Sequence, residues 1–156
     1  MLKKLALKSK TPTGFFFKTS TGTYGDIFIK LYKRFRNSNR KIGQIRLVNE
    51  GKNKYATHSN LDYRYHNKGL GALMYSKAIE WCLQRGFRCQ SSGYSSDDAK
   101  RVWQGKTIRK YFDIKVKQTE SGQWANPDYQ TWFAYEKKIK PLKNGKSLTR
   151  ATNKRR

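Results

Sequence analysis

The chain has 156 residues, 36% of them apolar and 14% aromatic, enough for one folded core with little left over for a second. Thirty-five Lys and Arg stand against ten Asp and Glu, a formal charge of +25. A charge of one sign and this size points to a polyanionic partner: DNA, RNA or another phosphate-rich ligand. No stretch approaches the roughly 18 apolar residues of a membrane span. The basic opening Met1-Leu2-Lys3-Lys4-Leu5-Ala6-Leu7 stops at Lys8, short of a signal peptide. Two Cys and two His give no zinc spacing, so no metal is expected, and a reducing, cytoplasmic setting fits the cysteine use.

Residues 1–25 carry five Lys and no acid and read as an irregular basic segment, although Phe15-Phe16-Phe17 is apolar enough to seed a short strand. Residues 26–137 read as the folded domain. Asp26–Phe35 sets Ile27, Ile29 and Leu31 two apart, a strand. After a turn at Asn37-Ser38-Asn39, Lys41–Asn49 alternates Gln44 and Arg46 with Ile45 and Leu47. Glu50-Gly51-Lys52-Asn53 turns the chain into a third strand over Tyr55–Leu61.

The period then changes. Leu70, Leu73, Met74, Ala78, Trp81 and Cys82 fall on one face of a helix that runs to Arg85 and stops at Gly86. Cys82 on that stripe is expected to be a buried free thiol. Phe87–Gln90 is a short strand. Ser95-Ser96-Asp97-Asp98 opens a second helix, a Ser cap with acids in the first turn, ending near Gln104. Phe112, Ile114 and Val116 alternate with Asp113, Lys115 and Lys117. A turn at Glu120-Ser121-Gly122-Gln123 precedes the last strand, Gln130–Lys137. Residues 138–156 read as a basic tail; from Lys137 on there are nine Lys or Arg and no acid. That end is expected to be disordered alone and to order on a polyanion. The order of strands, helix, strand, helix and two strands gives an α/β fold on a mixed sheet.

The sharpest feature is Leu61-Asp62-Tyr63-Arg64-Tyr65-His66-Asn67-Lys68-Gly69-Leu70-Gly71-Ala72, between a strand and the amphipathic helix. Two glycines let backbone approach a ligand, and the free N–H groups of the first helical turn, with the helix dipole behind them, suit a pyrophosphate. A plain turn with glycines for packing is the alternative. The dinucleotide fingerprint fails because Met74 holds its third Gly position. Gly105-Lys106-Thr107 and Gly145-Lys146-Ser147 lack the upstream Gly of a phosphate loop, with Lys100 and Lys140 in its place.

This segment resembles the acyl-CoA-binding motif of the GNAT N-acetyltransferases: an apolar strand residue, then Arg/Gln-x-x-Gly-x-Gly/Ala opening a long helix. Leu61 takes the apolar position, His66 the Arg/Gln position, and Gly69 and Gly71 the glycines. The next helix of the family often reads Asn-x-x-Ala-x-x-x-Tyr, matched here by Ser96, Ala99 and Trp103. The form Ser-x-x-Ala-Lys-Arg-Val-Trp is similar to a variant in small phage-encoded acetyltransferase-like proteins. The resemblance covers about residues 26–136.

The resemblance implies a central, mixed, mostly antiparallel sheet flanked by helices, with acetyl-CoA as co-substrate. Backbone at Leu61 and Tyr63 would hold the pantetheine arm. The N–H groups of His66, Asn67, Lys68, Gly69, Leu70, Gly71 and Ala72 would hold the pyrophosphate, with added charge from Lys68. Ser96 and Trp103 would border the same site. The family's usual acid, a Tyr, is Trp103 here, and an indole N–H is no proton source at neutral pH. Tyr94 is the substitute acid, and His58 and Glu50 are the candidate bases. Two functions stay open: an acetyl-CoA-dependent N-acetyltransferase with affinity for nucleic acid or another polyanion, or an inactive basic protein of the same fold. The second would bind DNA or RNA, or serve in a larger assembly such as a virion. A phage origin would place the chain in host cytoplasm or virion.

Overall fold

The computed structural model describes residues 10–93, 95–118 and 130–137. Its strands are β1 (Phe15–Thr21), β2 (Ile27–Arg34), β3 (Asn39–Asn49), β4 (Lys54–Leu61), β5 (Arg88–Ser91), β6 (Phe112–Gln118) and β7 (Gln130–Glu136). They form one sheet in the order β1-β2-β3-β4-β5-β7-β6. Every pairing is antiparallel except β4 with β5. The helices are α1 (Leu70–Gln84), α2 (Asp97–Gln104) and α3 (Lys106–Tyr111). A mixed, mostly antiparallel sheet flanked by helices is therefore what the chain builds.

Alternation explains how the sheet finds its core. Ile27, Ile29 and Leu31 of β2 are buried, and Phe28, Lys30 and Tyr32 between them point the other way. The register places Ile29 opposite Ile45 and Ile27 opposite Leu47, so one face is apolar across both strands. Helix α1 lays Leu70, Leu73, Met74, Ala78, Ile79 and Cys82 on that face. Gly43 of β3 permits the approach. A Cβ there would meet Leu61 Cδ1 at 2.9 Å, with Met74 Sδ and the Asn60 carbonyl oxygen each at 3.0 Å. Helices α2 and α3 both contact α1, and α3 also touches β6. Cys82 of α1 and Cys89 of β5 are both free and buried, as expected for Cys82.

The structure adds to or departs from the sequence reading at three places. Residues 1–25 are not irregular throughout: Phe15–Thr21 pairs along its whole length with β2. Lys18, Thr19, Ser20 and Thr21 carry no apolar signal, and the strand forms because β2 offers it a complete ladder. Helix α3 has no counterpart in the periodicity, since six residues bury one apolar side chain, Ile108. Val116, on the apolar side of the alternation, is 53% exposed; β6 is an edge strand, and its burial fades from Phe112 onward. The turn at Glu120–Gln123 and the tail 138–156 lie outside the described residues.

Candidate active site

The site begins beyond the end of the β4–β5 ladder. β4 stays paired with β3 as far as Leu61 opposite Gly43. Its parallel pairing with β5 ends at Thr57 opposite Ser91. β5 ends there, so from His58 onward β4 has no ladder partner on that side among the described residues, and beside that unpaired edge lies a cavity of about 440 Å³. Its walls include Ser59 and Leu61 of β4, Gly71 and Tyr75 of α1, and Ser96 and Arg101 at α2.

The loop from β4 to α1 is fixed by its own side chains. Asp62 accepts the Arg64 N–H at 3.0 Å and starts a 3-10 turn, Tyr63–Tyr65. The Arg64 guanidinium, bonded to the same carboxylate, holds Asp62 down to about 2. His66 Nε2 lies 2.8 Å from the Leu61 carbonyl oxygen and ties the loop back to the strand. Asn67 at φ 61° and Gly69 at φ 76° turn the chain through the left-handed region, which Asn and Gly tolerate best. Helix α1 then starts with no side-chain cap, and its first helical bond runs from Leu73 N–H to the Gly69 carbonyl. The amides of Leu70, Gly71 and Ala72 have no helical acceptor. A Cβ on Gly71 would stand 3.7 Å from Val102 Cγ2, so the glycine leaves this mouth open.

The structure brings part of the predicted set together. Leu61, His66, Asn67, Gly69, Gly71, Ala72 and Ser96 line the cavity. Ser96 also caps α2, its hydroxyl accepting the Ala99 N–H at 3.2 Å. Leu70 is in the core, and Tyr63, 79% exposed, borders a separate groove with Lys41 and Gln44. Lys68 Nζ sits 5.6 Å from the Tyr65 ring and is not on the cavity wall. Trp103 is fully buried, edge-on to Tyr75 at 5.6 Å, with an indole N–H lacking a partner among the described residues. His58 is exposed and pairs across the ladder with Arg46. Alternation along β4 turns it away from Ser59 and the cavity. Glu50 lies at the start of β4, the end remote from Leu61. It accepts a bond from Gln90 at 3.4 Å and pairs with Lys54 at 3.7 Å. Tyr94 lies outside the described residues.

Three cavity groups went unmarked in the sequence. Tyr75 Oη and Ser59 Oγ are 2.8 Å apart across the opening between β4 and α1. Burial pushes the Tyr75 phenol up, and its bond to Ser59 partly offsets that. Tyr75 falls four residues after Gly71, on the side of the helix that faces the same mouth, and that spacing was the available signal. Arg101 stands on the wall of α2 beside Asp98, with which it pairs. The Asp98 carboxylate lines the same wall, so the pair stands where charge was expected from Lys68. Among the described residues no cluster of three His, Cys, Asp or Glu could hold a metal ion. Nor is any described helix long and apolar enough to cross a membrane.

No protein-family model matches the chain, and no curated protein matches its sequence. Solved structures do. The chain is similar to a domain from Methanocaldococcus jannaschii, at 12% identity and a TM-score of 0.49 over 70% of this chain and 64% of that one. It is similar to a GNAT-family acetyltransferase from Streptococcus pneumoniae, at 20% identity and 0.44 over 70% and 64%. It is also similar to the ribosomal-protein-S18-alanine N-acetyltransferase from Escherichia coli, at 11% identity and 0.47 over 78% and 76%. The matched region spans less than two thirds of the first two chains.

Proposed function

We propose that the chain is an acyl-CoA-dependent N-acyltransferase of the GNAT type, with acetyl-CoA as the co-substrate. One observation carries this reading: the unpaired end of β4, beyond the last β4–β5 pair at Thr57, lies beside an uncapped helix N-terminus, with a cavity joining the two. A phosphate-bearing thioester needs both features. The pyrophosphate would accept from the amides of Leu70, Gly71 and Ala72, with Arg101 alongside. The acyl end would reach the opening near Ser59 and Tyr75.

Acyl transfer asks little more of the protein. An amine attacks the thioester carbonyl, the C–N bond forms, the C–S bond breaks, and the thiolate takes a proton. Buried Trp103 has no acidic hydrogen to give. Tyr75 does, and its raised pKa keeps the phenol protonated at neutral pH. We assign Tyr75 as the proton donor, with Ser59 as the hydroxyl that holds it. The amine gives up its own proton to water, since His58 faces away and Glu50 is remote.

Calorimetric titration with acetyl-CoA tests the reading. The protein should bind, and Gly71→Glu, which sets a carboxylate among the phosphate-binding amides, should abolish binding. No heat with wild-type protein at millimolar acetyl-CoA ends the proposal and leaves the fold as a basic, inactive scaffold. The acid has its own test. Tyr75→Phe should lower turnover roughly 10²-fold while acetyl-CoA affinity holds. If Tyr75→Phe leaves the rate intact and Tyr94→Phe lowers it, the donor is Tyr94.

A further inference from the structure

The helices cover one face of the sheet, and the other face has a chemistry of its own. On β1 and β2 the side chains that alternate with the core are Phe16 and Lys18, then Phe28, Lys30, Tyr32 and Arg34. None of the three rings belongs to the hydrophobic core, and all are half-buried rather than covered. Among the described residues no helix packs on this side, since α2 and α3 both contact α1.

Rings and cations are interleaved here. Phe16 and Tyr32 form a cross-strand pair, stacked at 5.2 Å and 11°. Lys18 Nζ lies 5.8 Å and 5.3 Å from those two rings, and the Arg34 guanidinium 4.8 Å from Phe16. Phe28, four residues back along β2 and about 13 Å away, has Lys30 at 6.0 Å and Arg46 at 5.8 Å. Asp26 is the neighbouring acid, and it is buried and already bonded to Arg46. A sheet face facing water ordinarily carries mixed charge and no row of rings.

We propose that this open face binds single-stranded nucleic acid. Phe16–Tyr32 and Phe28 supply two places where unpaired bases stack, and Lys18, Lys30 and Arg34 meet the phosphates between them. Stacking needs an exposed base face, which a duplex hides, so the single strand is the partner that uses the rings as well as the charge. The site is remote from the cleft and does not rest on its acyl-transfer reading.

Fluorescence anisotropy on the full chain tests this with labelled oligo-dT, oligo-U, an abasic oligonucleotide of equal length and a duplex. Oligo-dT and oligo-U should both bind more tightly than the abasic strand and the duplex; a gap between those two would show that the sugar is read. Phe16→Ala and Tyr32→Ala should each weaken oligo-dT binding at least about fivefold. They should leave the salt dependence unchanged, because neither removes a charge. Lys18→Gln and Arg34→Gln, at exposed positions where folding is not at stake, should each reduce the salt slope by about 0.7. Abasic or duplex DNA bound as tightly as oligo-dT would overturn the proposal. So would wild-type slopes in both charge variants, whatever becomes of the ring variants.

Discussion

Asp26 shows how a single side chain joins the start of one strand to the end of the next. It precedes β2, is 5% exposed, and accepts the Asn49 N–H at 2.9 Å and the Arg46 Nε–H at 2.9 Å. The Asn49 amide and then the Arg46 guanidinium hold its pKa below the ordinary carboxylate value. A carboxylate whose pKa falls on folding adds stability above its unfolded pKa, near 3.9, and loses it as pH drops through the folded value. Asp26→Asn should therefore cost on the order of 1–2 kcal/mol at pH 7. The difference in melting temperature between variant and wild type should narrow below about pH 4. Melts from pH 3 to pH 7 measure it, and a gap of constant size would remove Asp26 from the acid transition.

At the scale of elements, the joint that matters is α1 against β5. Cys82 and Cys89 meet there, both at 1% exposure or less. The bond to Cys82 and complete burial push the Cys89 thiol well above its usual value. Neither sulfur offers a thiolate to solvent, so the native protein should resist an aromatic disulfide reagent and titrate two thiols only after unfolding in guanidinium. Fast labelling of either thiol in the native state would mean that α1 lifts from the sheet on that timescale. The same helix start carries the uncapped amides of Leu70, Gly71 and Ala72, so its seating sets the geometry of the cavity mouth. Gly69 contributes by conformation alone, since a Cβ there would meet nothing within 4 Å, yet φ is +76°.

For the molecule as a whole, the charge of +25 works against compaction. Salt screens repulsion between exposed cations over about 10 Å at 0.1 M. The described ion pairs are few and mostly exposed, so their loss in salt costs little. The melting temperature should therefore rise between 10 mM and 500 mM sodium chloride, and a flat or falling trend would show that repulsion is not what limits stability. The same salt should weaken the single-strand binding proposed for the open face, so that binding and the fold would respond in opposite directions.

The sequence by itself determined the strands β2 to β4, the helix α1 and the glycine loop, because each is written in local periodicity or turn chemistry: Ile27, Ile29 and Leu31 at period two, Leu70 to Cys82 at helical period, Gly69 where φ must be positive. It also marked the half of the cavity wall formed by the glycine loop and the start of α1. Only the tertiary structure decided the other half. Tyr75 and Ser59 are sixteen residues apart and meet because α1 packs on β4. Trp103, which the family resemblance sets at the position of a proton donor, is driven into the core by its own apolar area. His58 looks away because a strand reverses its side chains at every residue. β1 exists through its ladder with β2. Pairing partners, the point where a ladder ends and the side a residue faces are properties of neighbours far along the chain, and no local pattern encodes them.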